Sequence, residues 1–284
     1  MSDIAEIQAK QHQFWNGPGG AQWVARNART DAALVPVTTA LLTRAAVRPG
    51  ETVLDIGCGC GTTTMMIAEA AGPSGHVTGL DISAPMLDFA RERAKSVANI
   101  TWALADATAH EFPEAQADLL FSRFGVMFFA DPVAAFANMR RALRPGGRVH
   151  FAAWRAVEHN PWMGLPTKAV AAHVPDLPRP GPEDPGPFAF ASVDRVTRIM
   201  TEAGFAEPVF THFDQPMTIG ATLDEAVRSA VEIGPAARAL MDQPEQVRAA
   251  AMNAVREVIV RYATPQGPVV LPGSTWLVQA AANG

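Results

Sequence analysis

Seven consecutive residues combine a carboxylate with three glycines at alternate positions. They are Asp55-Ile56-Gly57-Cys58-Gly59-Cys60-Gly61, and an apolar run at 52–56 leads into them. Glycine permits positive φ and lets backbone N–H groups approach a ligand closely, and a helix that begins directly afterwards adds the N–H groups of its first turn. The pattern therefore predicts a binding loop for a nucleotide-like ligand.

Two interpretations of this loop compete. A dinucleotide fingerprint, Gly-x-Gly-x-x-Gly, requires its third glycine at position 62, where the chain has Thr62. This spacing disfavours NAD as the ligand and with it an NAD-dependent oxidoreductase. The other interpretation is a loop with a glycine at every second residue behind an aspartate, which the sequence fits.

Strands and helices alternate around the loop from residue 52 to residue 154. This alternation predicts an α/β fold with a doubly wound, mostly parallel sheet that carries helices on both faces. In such sheets ligands bind beyond the carboxyl ends of the strands, so functional residues are expected directly after each strand. The predicted strands are 52–56, 75–81, 100–104, 118–122 and 148–154, and the predicted helices between them are 62–71, 83–97 and 131–144.

The segments before residue 52 and after residue 154 are predicted to be mostly helical, with two further strands near the C-terminal end. We expect N-terminal helices at 3–15 and 31–46, a loop with six prolines at 174–187, a helix at 192–203, strands at 206–213 and 274–280, and helices within 222–262. The predicted domains are an N-terminal helical cap (1–48), a core (49–221 and 264–284) and a helical insertion (222–263) that forms a lid beside the site.

Further polar residues follow the neighbouring strands. Asp81 ends the second strand, Asp106-Ala107 follow the third, and Ser122 ends the fourth. With the glycine loop and the turn at 144–148, this series resembles the class I S-adenosylmethionine-dependent methyltransferases over about residues 50–154. The segments 122–129 and 160–163 are similar to a bacterial subgroup likened to the quinone C-methyltransferases.

The resemblance implies a Rossmann-like core that binds S-adenosylmethionine. Asp81 would accept hydrogen bonds from the ribose hydroxyls, Asp106 would accept one from the adenine amino group, and Ile82 would lie against the adenine face. The cofactor-binding residues implied are Asp55, Gly57, Cys58, Gly59, Asp81, Ile82, Asp106, Ala107 and Ser122.

Composition and charge narrow the classes of partner. The chain has 284 residues and a formal net charge of −5, so nothing favours binding to nucleic acid or an anionic membrane surface. No signal peptide is evident in residues 1–11, the apolar stretch 119–130 is too short to span a bilayer, and two cysteines suit a cytoplasmic protein. Cys58 and Cys60 have three possible roles: a pair of metal ligands, reactive thiols like those of arsenic methyltransferases, or small residues that fit the loop. We predict the last, and no metal.

The acceptor side is less specified. We expect in-line displacement by an O, N, S or C nucleophile of a small organic acceptor, with His159 as either a general base or an ordinary loop histidine. Arg26, Arg123 and Arg155 are candidates for binding a carboxylate. A non-catalytic cofactor-binding regulator or scaffold is the alternative function. A second group of residues either lines an apolar pocket for the acceptor, which we predict, or packs in the core. These residues are Trp15, Trp23, Phe124, Met127, Trp154 and Trp162.

Overall fold

The computed structural model describes residues 4–174, 181, 183–232, 234–264 and 267–282. Within these ranges the chain forms one seven-stranded sheet with the order β3-β2-β1-β4-β5-β7-β6. The strands are β1 (Thr52–Ile56), β2 (His76–Asp81), β3 (Ile100–Leu104), β4 (Ala117–Arg123), β5 (Leu143–Trp154), β6 (Val209–Gly220) and β7 (Val269–Ala281).

The first five strands are parallel, which confirms the predicted doubly wound sheet. Asp55 pairs with Gly79 on one side and Phe121 on the other, so β1 lies between β2 and β4. β7 inserts antiparallel between β5 and β6. Helices cover both faces of the sheet, which explains why nearly all residues of β1 and β4 are buried.

The helices agree with the sequence pattern in most places. They are α1 (Ile4–Trp15), α2 (Pro18–Ala25), α3 (Asn27–Ala45), α4 (Thr62–Ala71), α5 (Ala84–Arg93), α6 (Pro132–Ala142), α7 (Pro161–Ala171), α8 (Val193–Glu202), α9 (Leu223–Ala230), α10 (Gly234–Leu240) and α11 (Glu245–Ile259). Two of them, α2 and α7, were not expected. Both begin with a proline in the first helical turn, where its missing N–H costs nothing.

The two last strands are longer than the pattern predicts. β6 and β7 pair from Val209–Gln279 to Met217–Leu271 and beyond, which extends the antiparallel ladder past the region expected from the sequence. Helices α9 to α11 lie between these strands in the chain, at the position expected for the insertion. Residues 175–180 and 182 of the predicted proline-rich loop lie outside the described residues.

The insertion lies against the N-terminal helices. Arg26 forms an ion pair with Glu232 at 3.1 Å, and the Arg238 guanidinium lies 4.8 Å from the centre of the Phe14 ring. Helix α1 covers the carboxyl ends of the strands, and the insertion packs against the N-terminal helices. The described residues of the insertion do not border the cavity at these strand ends. Among the described helices, none is long and apolar enough to cross a membrane.

Candidate functional site

A cavity of about 360 Å³ opens at the carboxyl ends of β1, β2, β3 and β4. The glycine loop forms its floor, and α1 forms its roof through Gln8, Gln11, His12 and Trp15. The loop after β4 forms the remaining wall with Phe124, Gly125, Phe128, Phe129 and Ala130. The predicted strand-end position therefore coincides with a real cavity.

The glycine loop has the conformation that glycine permits. Gly57, Gly59 and Gly61 have φ values of +65°, +54° and +80°. A Cβ atom on Gly57 would lie 2.7 Å from the Cα atom of Gly125, so the loop packs backbone against backbone with the segment after β4. The glycine at 57 is thus required both for its dihedral angle and for this close approach.

Asp55 lies behind the loop rather than on the cavity surface. Its Oδ2 accepts hydrogen bonds from Thr63 Oγ1 at 2.7 Å and from Thr64 Oγ1 at 2.6 Å, which ties β1 to the first turn of α4. Its Oδ1 is buried without a hydrogen-bond partner among the described residues. Burial raises the pKa of this carboxyl to about 6. The chain therefore keeps one oxygen of this carboxyl unsatisfied beneath the loop.

Asp81 borders the cavity and is held by backbone groups. Its Oδ2 accepts from Gly59 N at 2.8 Å and its Oδ1 accepts from Ser83 N at 2.9 Å. The residue is buried, and burial raises its pKa. An ionised carboxylate has about four acceptor positions, so each oxygen retains capacity for a ligand hydroxyl.

Asp106 lies at the next strand end and contacts the roof. Its Oδ1 accepts from Thr108 N at 2.7 Å, and its Oδ2 accepts from Nε2 of Gln8 on α1. Ile82 and Ala107 also border the cavity. The structure therefore brings together the residues predicted after β2 and β3.

Ser122 was predicted to bind the cofactor, and the structure places it away from the cavity. Its Oγ donates to Ile56 O at 2.7 Å and accepts from Gly125 N at 3.2 Å, and the residue is buried. Through these two bonds the Ser122 hydroxyl links the start of the glycine loop to the loop after β4. Ser122 is thus a residue that fixes the cavity floor from below.

Three predicted pocket residues, Trp15, Trp23 and Phe124, border the cavity. Phe124 has φ of +67°, a left-handed conformation that non-glycine residues rarely adopt and that often marks functional positions. Its ring stacks on Trp154 at a centroid distance of 4.3 Å. Trp15 packs edge to face against Trp23 and Phe128.

Met127, Trp154 and Trp162, the other three predicted pocket residues, lie away from this cavity. None of these three borders the cavity, because they form a layer behind Phe124. Trp162 packs against Trp154 at 5.1 Å, and the Met127 sulfur accepts a hydrogen bond from Trp154 N at 3.5 Å. Core packing, the alternative interpretation, explains their positions.

The structure also separates the candidate polar residues. His159 is exposed outside the cavity lining, with Nε2 3.3 Å from an Arg155 nitrogen. Arg26 pairs with Glu232, and Arg155 contacts Ser274 and lies over the Trp276 ring. Arg123 alone among these four borders the cavity.

Several residues that border the cavity from the N-terminal helices were not predicted. Gln8, Gln11, His12 and Asn27 border the cavity although they lie on N-terminal helices. A one-sided helix pattern predicts that α1 packs on something, but only the tertiary structure places it over the strand ends. The i, i+4 spacing of Gln8 and His12 is the signal that puts both on one helix face.

Both cysteines are buried in or beside the loop. Burial raises the pKa of Cys58 well above its usual range and raises that of Cys60 to about 12. The thiols are therefore protonated at neutral pH and are poor nucleophiles and metal ligands. Within the described ranges no cluster of three or more metal-binding side chains is found.

Comparison with known proteins agrees with this geometry. A family model described as a methyltransferase domain matches residues 53–147. Residues 53–147 are therefore similar to a methyltransferase domain. The matched region includes the glycine loop, Asp81 and Asp106.

Two curated relatives illustrate the sequence similarity. The chain is 37% identical over 103 residues to the demethylmenaquinone methyltransferase of Staphylococcus aureus, which covers 36% of this chain and 43% of that protein. It is 36% identical over 132 residues to an uncharacterized transposon protein of Streptomyces fradiae, which covers 46% of this chain and 38% of the other. The chain thus spans less than half the length of these relatives.

Solved structures share the fold at low identity. The YcgJ protein of Bacillus subtilis has a TM-score of 0.58 at 16% identity and covers 87% of this chain and 98% of the other. Phosphoethanolamine N-methyltransferase 2 of Haemonchus contortus, solved with S-adenosylmethionine, has a TM-score of 0.57 at 17% identity, covering 100% of this chain and 61% of that chain. These similarities concern the fold of the methyltransferase domain.

Proposed function

We propose that this protein transfers a methyl group from S-adenosylmethionine to a small, predominantly apolar acceptor bound in the same cavity. The observation that carries the proposal is that one cavity joins two different surfaces. One surface has the glycine loop with Asp81 and Asp106, and the other has the rings of Phe124, Phe128 and Phe129.

The residues present fit the cofactor. Asp81 has acceptor capacity for two ribose hydroxyls, and Asp106 with Ile82 offers a carboxylate and an apolar surface for the adenine. The Gly57 position leaves no room for a side chain. Asp55 adds a buried carboxyl beneath the loop, and its ionised form favours a cationic ligand above it. When bound, the cofactor supplies an electrophilic methyl group on a positively charged sulfur.

The contribution of the protein to the reaction is positioning and exclusion of water. Correct alignment of donor and acceptor can supply about 7–11 kcal/mol of the barrier reduction. The α1 roof and the aromatic wall both border the site, and they meet where Trp15 packs against Phe128. The flat aromatic faces suit a planar acceptor, and a relative that is a demethylmenaquinone methyltransferase supports a hydroxylated aromatic ring as the acceptor class.

Such an acceptor must lose a proton, and His12 is our candidate to receive it. Among the described residues that border the cavity, His12 is the one imidazole. It lies on the roof, one helical turn before Trp15. His159, the candidate from the sequence, lies outside the cavity lining.

Calorimetry followed by a transfer assay tests the proposal. We expect binding of S-adenosylmethionine and S-adenosylhomocysteine but not of NAD, and transfer of a labelled methyl group to at least one acceptor in a panel of short-chain naphthoquinols and simple phenols. Binding without transfer to any of them would favour a regulator or scaffold, and preference for NAD would favour an oxidoreductase. Absence of S-adenosylhomocysteine binding up to millimolar concentration contradicts the proposal.

A further inference from the structure

We infer that Arg123 holds the carboxylate at the amino-acid end of the cofactor and that Asp31 positions Arg123 for this task. The inference rests on the proposed function, because it assigns the part of the cavity that the adenosine-binding residues leave unexplained. It concerns one buried cation at the end of β4 and its partners on α3.

The order of the strands determines which end of the ligand reaches Arg123. Asp106, Asp81, Gly57 and Arg123 lie at or just beyond the carboxyl ends of β3, β2, β1 and β4, which are successive neighbours in the sheet. Three strand spacings amount to about 14 Å, comparable with the length of an extended S-adenosylmethionine molecule. A ligand with its adenine near Asp106 and its ribose near Asp81 therefore brings its amino-acid end toward Arg123.

Arg123 is held in place but not fully used. Its side chain is 11% exposed, one terminal nitrogen donates to Thr38 Oγ1 at 2.8 Å, and the other donates to Asp31 Oδ1 at 3.0 Å. A guanidinium group has five N–H donors, so these two bonds leave donors for a ligand in the cavity. A planar guanidinium is well suited to a carboxylate.

Asp31 is bound by several donors, which fixes its orientation. Its Oδ2 accepts from Asn27 Nδ2 at 2.9 Å and from the Thr62 hydroxyl, and an Arg93 nitrogen lies at 3.9 Å. Asn27 and Thr62 both border the cavity. The negative charge of Asp31 is therefore shared among several partners. It does not act on Arg123 exclusively.

The local charges alternate in a way that suits a zwitterion. The cations Arg93 and Arg123 both lie close to the Asp31 carboxylate, and the buried Asp55 lies beneath the loop. Gly61 precedes α4 without a side-chain cap, so the positive end of that helix adds to the field near Thr62. An amino-acid end carries both an ammonium and a carboxylate group, and this arrangement offers a partner for each.

The test compares ligands with and without the amino-acid end in the full chain. Calorimetry measures binding of S-adenosylhomocysteine and of methylthioadenosine, which lacks the amino-acid end, to the wild type, Arg123→Gln and the control Arg26→Gln. We expect Arg123→Gln to weaken S-adenosylhomocysteine binding about 10- to 100-fold, as expected for a lost charged hydrogen bond, and to leave methylthioadenosine binding unchanged. Arg26→Gln should change neither, because Arg26 pairs with Glu232 outside the cavity lining.

Two further variants keep the inference testable. Arg123→Lys retains the charge and should bind S-adenosylhomocysteine with intermediate affinity, even if Arg123→Gln does not fold. Asp31→Asn should weaken S-adenosylhomocysteine selectively but less than Arg123→Gln does. An equal loss for both ligands, or no loss for S-adenosylhomocysteine, overturns the inference. Failure of the wild type to bind either ligand would instead contradict the proposed function.

Discussion

At the scale of single residues, Asp81 is the side chain on which cofactor affinity should depend most. Its two oxygens accept from Gly59 N and Ser83 N, so the carboxylate is already oriented before a ligand enters. Burial raises the pKa of Asp81, because the charged form of this carboxyl is less stable inside the fold than in water. Such a charge is expected where a ligand supplies the compensating hydrogen bonds.

We predict that Asp81→Ala weakens S-adenosylhomocysteine binding by about 1.5–3 kcal/mol because charged hydrogen bonds to the ribose are lost. Calorimetry measures the effect, and thermal melting checks that the variant remains folded. Asp88→Ala is the matched control, since Asp88 is an exposed acid that pairs with Arg91 on the surface of α5. Equal affinities for the wild type and Asp81→Ala would show that the ribose site is misplaced.

Residues at strand ends could be predicted because their position follows from chain order. The glycine loop, Asp81 and Asp106 come directly after buried strands, and the parallel sheet brings them to one edge. Side-chain direction could not be predicted in the same way. Ser122 and Trp154 also stand at strand ends, yet Ser122 bonds to Ile56 O and Trp154 packs behind Phe124.

At the scale of elements, α1 and its turn are joined to the cofactor side of the core by polar contacts. Asn16 Nδ2 donates to Ile82 O at 2.8 Å, and Asn16 Oδ1 accepts from Ala84 N at 2.9 Å. Ser83 Oγ donates to Trp15 O at 2.7 Å. These contacts fix the roof beside Asp81 and couple its position to the ligand site.

We predict that Asn16→Ala increases the dissociation rate of S-adenosylhomocysteine because the roof loses two anchors to the start of α5. The change should also destabilise the fold by about 1–3 kcal/mol, as expected when partly buried backbone groups lose their partners. Stopped-flow displacement measures the rate, and urea unfolding measures the stability.

Asn99→Ala is the control for this experiment. Asn99 Nδ2 also donates to two backbone carbonyls, those of Ala68 and Gly72, but it lies outside the cavity lining. Its replacement should lower stability and leave the dissociation rate unchanged. Similar dissociation rates for the wild type and Asn16→Ala would show that the Asn16 anchors of the roof do not control ligand release.

The elements themselves were predictable where hydrophobic period and turn residues agree. The parallel strands and α4 to α6 lie within a few residues of their expected bounds because each has a buried apolar face and a clear break. The segment between the predicted helices 3–15 and 31–46 is in fact a two-residue turn followed by α2, since a proline is tolerated in the first turn of a helix. The roof could not be inferred, because a helix pattern shows a buried face without showing what covers it.

At the scale of the whole molecule, two buried groups oppose each other in the pH dependence of stability. Burial and the charges of Arg148 and Arg44 lower the pKa of His150 to about 4, from the ordinary value of 6.5. The stability that this neutral histidine preserves is present above pH 6.5 and is lost as the pH falls toward 4, by about 3 kcal/mol. Burial raises the pKa of Asp55 from 3.8 to about 6. This carboxyl therefore stabilises the fold by about 3 kcal/mol as the pH falls from 6 to 3.8.

Because these contributions have opposite signs, we predict that single variants reveal pH slopes that largely cancel in the wild type. His150→Gln cannot take up a proton, so its stability relative to wild type should rise by about 3 kcal/mol between pH 7 and pH 4. Asp55→Asn cannot lose one, so its advantage over wild type should be greatest near pH 7 and should decrease by about 3 kcal/mol toward pH 4. Urea unfolding of the cofactor-free protein across this range measures both differences. Parallel curves for the two variants would mean that these groups do not determine the pH dependence, and a slope of the opposite sign for Asp55→Asn would mean that the fold stabilises its charge instead of opposing it.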